Sequence, residues 1–239
     1  MADYGLLLSI AALLSLPALF AWRHPLRTSD GQVVSDVALP ALGVGVVVGR
    51  VVSLALDDTR SLTRVGDFLI IRSGVEFWAG VVAGLLVIAR SARRDQVGVL
   101  ERFADIAPAA LVAQAGYNLT CLVRDGCYGP DWALGPTPKG LSHGMLPVEL
   151  MGSAALLAVA VLLASNRRSA PITILAGLGS LALVRAVTSF WLPRLGEGMT
   201  RQHITSVVVA SACAAALAMV AVTTRRRSNG TAAAAQLLQ

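Results

Sequence analysis

The segment from residue 105 to residue 129, DIAPAALVAQAGYNLTCLVRDGCYG, joins an apolar run to a polar, glycine-rich end. It opens with an acid and a proline, Asp105 and Pro108, and continues as an apolar stretch. It closes on a turn that carries a cluster of polar residues, namely Asn118, Cys121, Arg124, Asp125 and Cys127, followed by Gly129. A membrane helix that brings polar groups to the level of the lipid headgroups has this form. A membrane helix that ends in an ordinary polar loop has it too, so the segment alone leaves both interpretations open.

The composition predicts an all-α fold, a polytopic integral membrane helix bundle with about seven transmembrane helices. The chain has 239 residues, of which 14% are charged, and a mean hydropathy of +0.68. Soluble domains carry about 25% charged residues, and a membrane span takes about 20 residues. We expect a single transmembrane domain over residues 1–223 and a low-complexity cytoplasmic tail over residues 224–239.

Seven apolar runs are candidate spans, and the basic residues between them predict the orientation. The runs cover residues 4–22, 36–56, 74–90, 105–123, 147–165, 171–192 and 203–223. Connectors after the odd-numbered spans hold eleven arginines, and the other connectors hold seven arginines and lysines. Positive loops favour the cytoplasm, so we expect the N-terminus outside, the C-terminus in the cytoplasm and loop 124–146 outside. This scattering of charge among apolar runs also argues against a nucleic-acid partner.

Two arginines, Arg50 and Arg185, lie inside predicted spans. An arginine at mid-membrane costs roughly 2.5–3.5 kcal/mol and usually faces the interior of a bundle with a partner. Two inward guanidinium groups would form a seat for a phosphate, which guanidinium binds through two parallel hydrogen bonds. In the alternative interpretation, Arg50 extends to the membrane surface, or both arginines pair with buried carboxylates such as Asp36 or Asp105.

Four further residues are candidates for proton transfer. Glu76 and Glu149 lie at the starts of two spans, where each could act as a general base or pair with a loop arginine. His143, in the long loop, could relay a proton or be solvated, and His203 is the weakest candidate.

We expect no metal site and no cofactor. Cys121 and Cys127 could form a disulfide, bind a metal or pack, but no histidine has the spacing of a zinc site. Cys213, inside the last span, is expected to pack against its neighbours.

These residues lie in blocks whose order and spacing resemble the prolipoprotein diacylglyceryl transferases, and more closely their short cysteine-containing relatives. The blocks are GRVVSLAL from Gly49, SGVEFWAGVVAG from Ser73, Asp105-x-Ala107-Pro108 with Cys121 to Gly129, LPVELMGS from Leu146, VRAVTSFW from Val184, and RQHITS from Arg201. Each block is weak by itself, but their order over most of the chain is specific.

The resemblance implies a membrane transferase with two substrates. Such an enzyme takes diacylglyceryl from phosphatidylglycerol and transfers it to the thiol of a lipobox cysteine in a secreted preprotein. The reaction belongs to lipoprotein biosynthesis and occurs at the outer face of the bacterial inner membrane, where glycerol phosphate leaves. The expected partners are therefore phosphatidylglycerol, a lipobox-containing preprotein and membrane lipid.

The chain departs from the family pattern where that pattern carries most of its proton-transferring groups. The substituted positions are Trp78 and Leu146 for histidines, Asn118 for an arginine, Cys121 for an asparagine, and Gly126, Gly152 and Ser189 for glutamates. The retained positions are Arg50, Asp105, Gly129, Pro147, Arg185 and Gln202. The groups that would seat a phosphate therefore remain, whereas the loss of a general base typically lowers a rate by about 10²–10⁴.

Two function hypotheses follow, and they differ in whether the chain is an enzyme. In the first it is a transferase with Glu149 or His143 as the catalytic base, and substrate is bound by a set of retained and substituted residues, namely Arg50, Arg185, Asp105, Asn118, Cys121, Gly129 and Gln202. In the second it is a catalytically silent relative that binds phospholipid or lipoprotein as a scaffold or partner subunit. A small transporter is a weaker third hypothesis, because no internal repeat is evident.

Overall fold

The computed structural model describes residues 4–24, 32–57, 75–124, 128–138, 140–166, 168–192 and 200–236. Within these residues the chain forms seven long helices and one short helix, which confirms the all-α prediction. The helices are α1 (Tyr4–Arg23), α2 (Gln32–Asp57), α3 (Phe77–Arg94), α4 (Val99–Leu119), α5 (Cys121–Arg124), α6 (Val148–Ser165), α7 (Ala170–Trp191) and α8 (Arg201–Gln236).

Four of the described helical segments are long and apolar enough to cross a membrane. They are Asp36–Asp57, Val148–Ser165, Ala170–Trp191 and Arg201–Thr224, and a shorter apolar segment covers Leu8–Arg23. Helices α3 and α4 are more polar because each carries charged residues near the turn that joins them. One of these, Arg102, is buried and binds Asp95 at 2.9 Å.

Two helix ends differ from the sequence prediction. Helix α4 starts at Val99, six residues before the predicted span 105–123, and Pro108 lies inside it. The ion pair between the buried Arg102 and the exposed Asp95 explains this, because it lets a charged residue enter the packed fold. Helix α8 continues past Thr224 to Gln236, where the alanine-rich sequence has the highest intrinsic helix propensity.

Helix α4 lies at the centre of the bundle and packs against α1, α6 and α7. The core there is made of small and aliphatic side chains, and Ala115, Leu156 and Ala160 are fully buried. Helices α2 and α3 approach closely, since a Cβ atom on Gly45 would lie 2.8 Å from the carbonyl oxygen of Gly80. Small residues at such crossings let membrane helices pack without a solvent-driven hydrophobic effect.

Antiparallel helices bring six helix ends together at one end of the bundle. Here α2, α4 and α7 finish and α3, α6 and α8 begin, and we call this the site end. The Glu76 amide donates to the Gly49 carbonyl at 3.0 Å, and Arg201 binds Asp57, so the start of α3 and the start of α8 both meet the end of α2. Between α5 and α6 the chain forms a short hairpin around a bridge from Asp131 to Met145.

Candidate functional site

Arg185, near the end of α7, is held by side chains from two other helices. Its guanidinium carbon lies 3.7 Å from the centre of the Phe77 ring at the start of α3. Its Nη2 donates to Gln202 Oε1 at 3.2 Å, and Gln202 donates to the Val75 carbonyl at 3.3 Å. The ring fixes the plane of the guanidinium and the amide fixes its rotation, so Arg185 has a defined direction before any ligand arrives.

The Nε of Arg185 is buried and has no hydrogen-bond partner among the described residues. A buried donor without an acceptor costs about 1–3 kcal/mol, and more when the donor is charged, so native proteins rarely keep one without a reason. The titratable groups that act electrostatically on this guanidinium are Glu149, Tyr117 and Glu76. The arrangement leaves a cationic donor available to an anionic acceptor.

Arg50 lies on α2 beside the start of α3. Its side chain is only 4% exposed, so it is buried in the protein and does not extend along the lipid surface. The preceding Gly49 allows this position, because a Cβ atom there would lie 2.8 Å from the Glu76 carbonyl oxygen. Arg50 is therefore at the same end of the bundle as Phe77.

Glu149, in the first turn of α6, faces the end of α4. With the Asn118 amide placed so that its nitrogen points toward α6, Asn118 donates to Glu149 Oε2 at 3.2 Å. Gly152 follows on the same helix, and a Cβ atom there would lie 3.0 Å from Thr188 and 3.6 Å from the Asn118 side chain. The substituted positions Asn118 and Gly152 thus meet each other, and Glu149 is the carboxylate beside them.

Trp78 stands where the family pattern has a histidine, and its indole cannot act as a base. The indole nitrogen donates to Ser206 Oγ at 2.9 Å, and Ser206 donates to the Gln202 carbonyl at 2.6 Å. An indole N–H can only donate. Trp78 therefore fastens α3 to α8 close to Gln202, but it cannot accept a proton.

The structure does not bring Asp105 into this group. Asp105 is buried on α4, 13 residues before Asn118, which corresponds to about 20 Å along a helix. Asp36 lies 14 residues before Arg50 on α2, again about 21 Å away. Both carboxylates proposed as partners of the arginines are thus at the far end of their helices.

His143 lies in the exposed hairpin, outside the group at Arg185. Its Nε2 is 3.1 Å from Asp131 Oδ1, and both side chains are largely exposed. Gly129, at the base of the hairpin, donates from its amide to the Leu146 carbonyl at 2.8 Å. A Cβ atom on Gly129 would lie 2.5 Å from Val148, so its lack of a side chain serves the packing of the hairpin on α6.

Two of the cysteines have different states. Cys121 is buried and disulfide-bonded, whereas Cys213 is a free, buried cysteine on α8. Cys213 packs against Gly179 as expected. Cys127, the other cysteine of the predicted pair, lies outside the described residues. In the part of the chain that the structure describes, no cluster of metal-binding side chains is present.

Two features of the site end were not predicted from the sequence. One is Phe77, which lies in the block SGVEFWAGVVAG but has no predicted role. The other is the contact between Ser189 Oγ and His203 Nδ1 at 2.8 Å. Ser189 lies one helical turn beyond Arg185, and His203 follows Gln202. These two spacings are the sequence features that could have predicted the contact.

An apolar groove of about 720 Å³ opens between α2 and α3. Its lining begins at Trp78 and ends at Arg90, and is otherwise aliphatic: Val44, Val48, Ala79, Val82, Ala83, Leu86 and Val87. The 12 residues from Trp78 to Arg90 correspond to about 18 Å along α3. Neither Arg50 nor Arg185 lines this groove, but Phe77, which stacks on Arg185, directly precedes Trp78.

Comparison with known proteins adds an independent result. The family model described as prolipoprotein diacylglyceryl transferase matches residues 1–224. Two curated relatives from strains of Corynebacterium glutamicum, both named phosphatidylglycerol–prolipoprotein diacylglyceryl transferase, are each 29% identical over 121 residues. The alignments cover 47% of this chain and 38% of each relative, so the chain matches well under half of their length. Because the family model covers nearly the whole chain, this protein belongs to the prolipoprotein diacylglyceryl transferase family.

Proposed function

We propose that the protein transfers diacylglyceryl from phosphatidylglycerol to a thiol, the acceptor being the lipobox cysteine of a secreted preprotein. In this reaction the thiol sulfur attacks the glyceride carbon that carries the phosphate. A C–S bond forms, the C–O bond to phosphate breaks, and glycerol phosphate leaves with the proton that the thiol gave up. The protein must therefore hold a phosphate, accommodate acyl chains and accept a proton.

The observation that carries the proposal is the buried, unpartnered Nε of Arg185. Phe77 and Gln202 hold the guanidinium, so the free N–H points in one direction only. A phosphate oxygen is the acceptor that best satisfies such a donor, because charge-assisted hydrogen bonds to phosphate are about twice as strong as neutral ones. Arg50, buried at the same end, would supply the second positive charge.

The groove between α2 and α3 supports the lipid half of the proposal. Its lining is almost entirely aliphatic, and it extends about 18 Å from Trp78 toward Arg90. Since Trp78 adjoins the residue that stacks on Arg185, a phosphate at Arg185 could extend one acyl chain into this groove. A soluble phosphate ester would have no use for such a surface.

Glu149 could serve the reaction in either of two ways. It could accept the thiol proton, or it could act as a counter-charge that holds Arg185, on which its charge acts directly. Asn118 orients the carboxylate in both cases. His143 has no role in the proposed reaction, because its imidazole lies in the exposed hairpin against Asp131.

The expected topology is part of the same proposal. The arginine distribution puts the connectors of the site end, including the hairpin, outside the inner membrane. Phosphatidylglycerol of the outer leaflet and a translocated preprotein would then reach the same end of the bundle. Residues 224–239 would lie in the cytoplasm as a tail beyond the single transmembrane domain.

Purified protein in phosphatidylglycerol vesicles, given a lipobox peptide, provides the test. Mass spectrometry should detect a peptide with a thioether-linked diacylglyceryl group. Arg185→Ala should raise the KM for phosphatidylglycerol by about 10- to 100-fold, the value of one or two hydrogen bonds to a charged group. Arg168→Ala, which removes an exposed arginine between α6 and α7, is the control and should change nothing.

The second candidate function is a silent phospholipid-binding subunit, and Trp78 favours it because a donor-only side chain occupies the position of a family histidine. Binding of phosphatidylglycerol that Arg185→Ala abolishes, without any modified peptide, would support this alternative. Absence of both binding and product would refute both functions.

A further inference from the structure

His203 and Ser189 form a hydrogen-bonded pair that the reaction described above leaves unused. Ser189 lies one turn beyond Arg185 on α7, so the two side chains share a helix face. His203 directly follows Gln202, whose amide holds Arg185. The imidazole is 8% exposed and lies 6.4 Å from the Phe190 ring, so it is enclosed within the contact between α7 and α8.

The hydrogen bonds of Ser189 favour the tautomer of His203 that carries its proton on Nδ1. Ser189 Oγ is 3.0 Å from the Ala186 carbonyl oxygen and 2.8 Å from His203 Nδ1. A carbonyl oxygen can only accept, so a hydrogen bond to Ala186 uses the single hydroxyl hydrogen of Ser189. Both contacts are then hydrogen bonds only if Nδ1 carries the imidazole proton.

In a neutral imidazole with its proton on Nδ1, the other nitrogen is a hydrogen-bond acceptor and a base. Nε2 of His203 has no hydrogen-bond partner among the described residues, so its lone pair is not engaged there. Imidazole is also the side chain best suited to take and return protons near neutral pH. The pair therefore holds an oriented base whose partner, Ser189, lies one helical turn beyond Arg185, the proposed phosphate seat.

We propose that Nε2 of His203 is the proton acceptor for the thiol in the proposed transfer, on which this inference rests. The thiol S–H bond breaks, its proton moves to Nε2, and the sulfur bonds to the glyceride carbon as the C–O bond to phosphate breaks. The imidazolium then returns the proton to the leaving glycerol phosphate. Ser189 acts as a positioning residue, and Glu149 acts as a counter-charge to Arg185 and not as the base.

A matched substitution separates this role from a structural one. His203→Asn keeps an N–H donor where Nδ1 stands, so Ser189 retains its partner, but it removes the base. We expect kcat for peptide modification to fall about 10²- to 10⁴-fold, with the KM for phosphatidylglycerol within about twofold of wild type. Added imidazole should restore part of the activity. His24→Asn, at the far end of α1, is the control.

A second measurement needs no catalysis. ¹⁵N spectra of histidine-labelled wild-type protein, assigned by comparison with His203→Asn, should show a protonated Nδ1 and an unprotonated Nε2. Full kcat in His203→Asn, or a proton on Nε2, would overturn the inference while leaving the transferase proposal in place. Absence of any modified peptide with wild-type protein would overturn both.

Discussion

The ring of Phe77 offers the sharpest test of whether Arg185 is oriented for the proposed phosphate. The guanidinium carbon lies 3.7 Å from the ring centre, well inside the roughly 6 Å limit of a cation–π contact. Because Arg185 is partly buried and its Nε is buried, the contact lies between the exposed and the desolvated classes, which corresponds to about 1–2 kcal/mol. Phe77→Leu removes the ring's charge distribution but keeps an apolar side chain of similar bulk.

That energy is the most that loss of orientation can cost, because Gln202 still binds the guanidinium. At 1.4 kcal/mol per tenfold change, Phe77→Leu should weaken phosphatidylglycerol binding by between about fivefold and 30-fold. Phe77→Tyr keeps the ring and should bind nearly as wild type. Binding is measured on purified protein in nanodiscs by titrating the fraction of phosphatidylglycerol against a neutral lipid.

The control for general packing effects is Phe103→Leu. Phe103 packs on the cluster around Val37 and Ile106, away from Arg185, so this substitution should lower thermal stability without changing lipid affinity. If Phe77→Leu binds phosphatidylglycerol as tightly as wild type while Arg185→Ala does not bind, the ring has no orienting role and the reasoning fails.

Two further predictions concern Glu149 and the groove. Glu149→Gln keeps the contact with Asn118 and removes a negative charge beside Arg185. We therefore expect kcat to fall less than about tenfold and the KM for phosphatidylglycerol not to rise. A loss of about 10²–10⁴ in kcat would instead identify Glu149 as the base. Ala79→Phe fills the groove between α2 and α3, and it should weaken binding of long-chain phosphatidylglycerol while short-chain analogues bind normally. An equal loss of affinity for long-chain and short-chain lipid, measured in the same titration, would show that the groove does not bind an acyl chain.

The architecture was accessible from the sequence because membrane helices need about 20 apolar residues and leave a strong compositional signal. The ends of the helices were less predictable. The apolar run predicted a span that begins at residue 105, but α4 begins six residues earlier, at Val99, and includes Arg102, which pairs with Asp95. Such a pair depends on the turn between α3 and α4, which has no signature in a hydropathy pattern.

The burial of the two arginines could be predicted from the sequence, but the residues around them could not. Arg50 and Arg185 stand out because a charge inside an apolar run is costly. The stacking of Phe77 on Arg185 depends on the rotation of α3 relative to α7, and nothing in either sequence segment specifies it. The same holds for His203, whose partner Ser189 is 14 residues away across a helix connection.

Chain direction alone places several of the candidate residues at one end of the bundle. Neighbouring helices run in opposite directions. Glu149 and Gln202, which lie at the starts of their helices, are therefore at the same end of the bundle as Arg185, which lies near the end of its helix. Asp105 was assigned to the same substrate site by its motif, yet it lies about 20 Å along α4 from Asn118. A motif that spans a whole helix necessarily separates its first residue from its last.

The central claim is that Arg185 seats the phosphate of phosphatidylglycerol through its unpartnered Nε. Solid-state NMR on arginine-labelled protein in phosphatidylglycerol bilayers measures this directly, as the distance from the lipid ³¹P nucleus to the guanidinium ¹⁵N nuclei, assigned with Arg185→Lys. We predict a phosphorus within roughly 4 Å of Arg185 Nε, as a hydrogen bond to a phosphate oxygen requires. A bound phosphatidylglycerol whose phosphorus shows no such proximity to Arg185 would contradict the account.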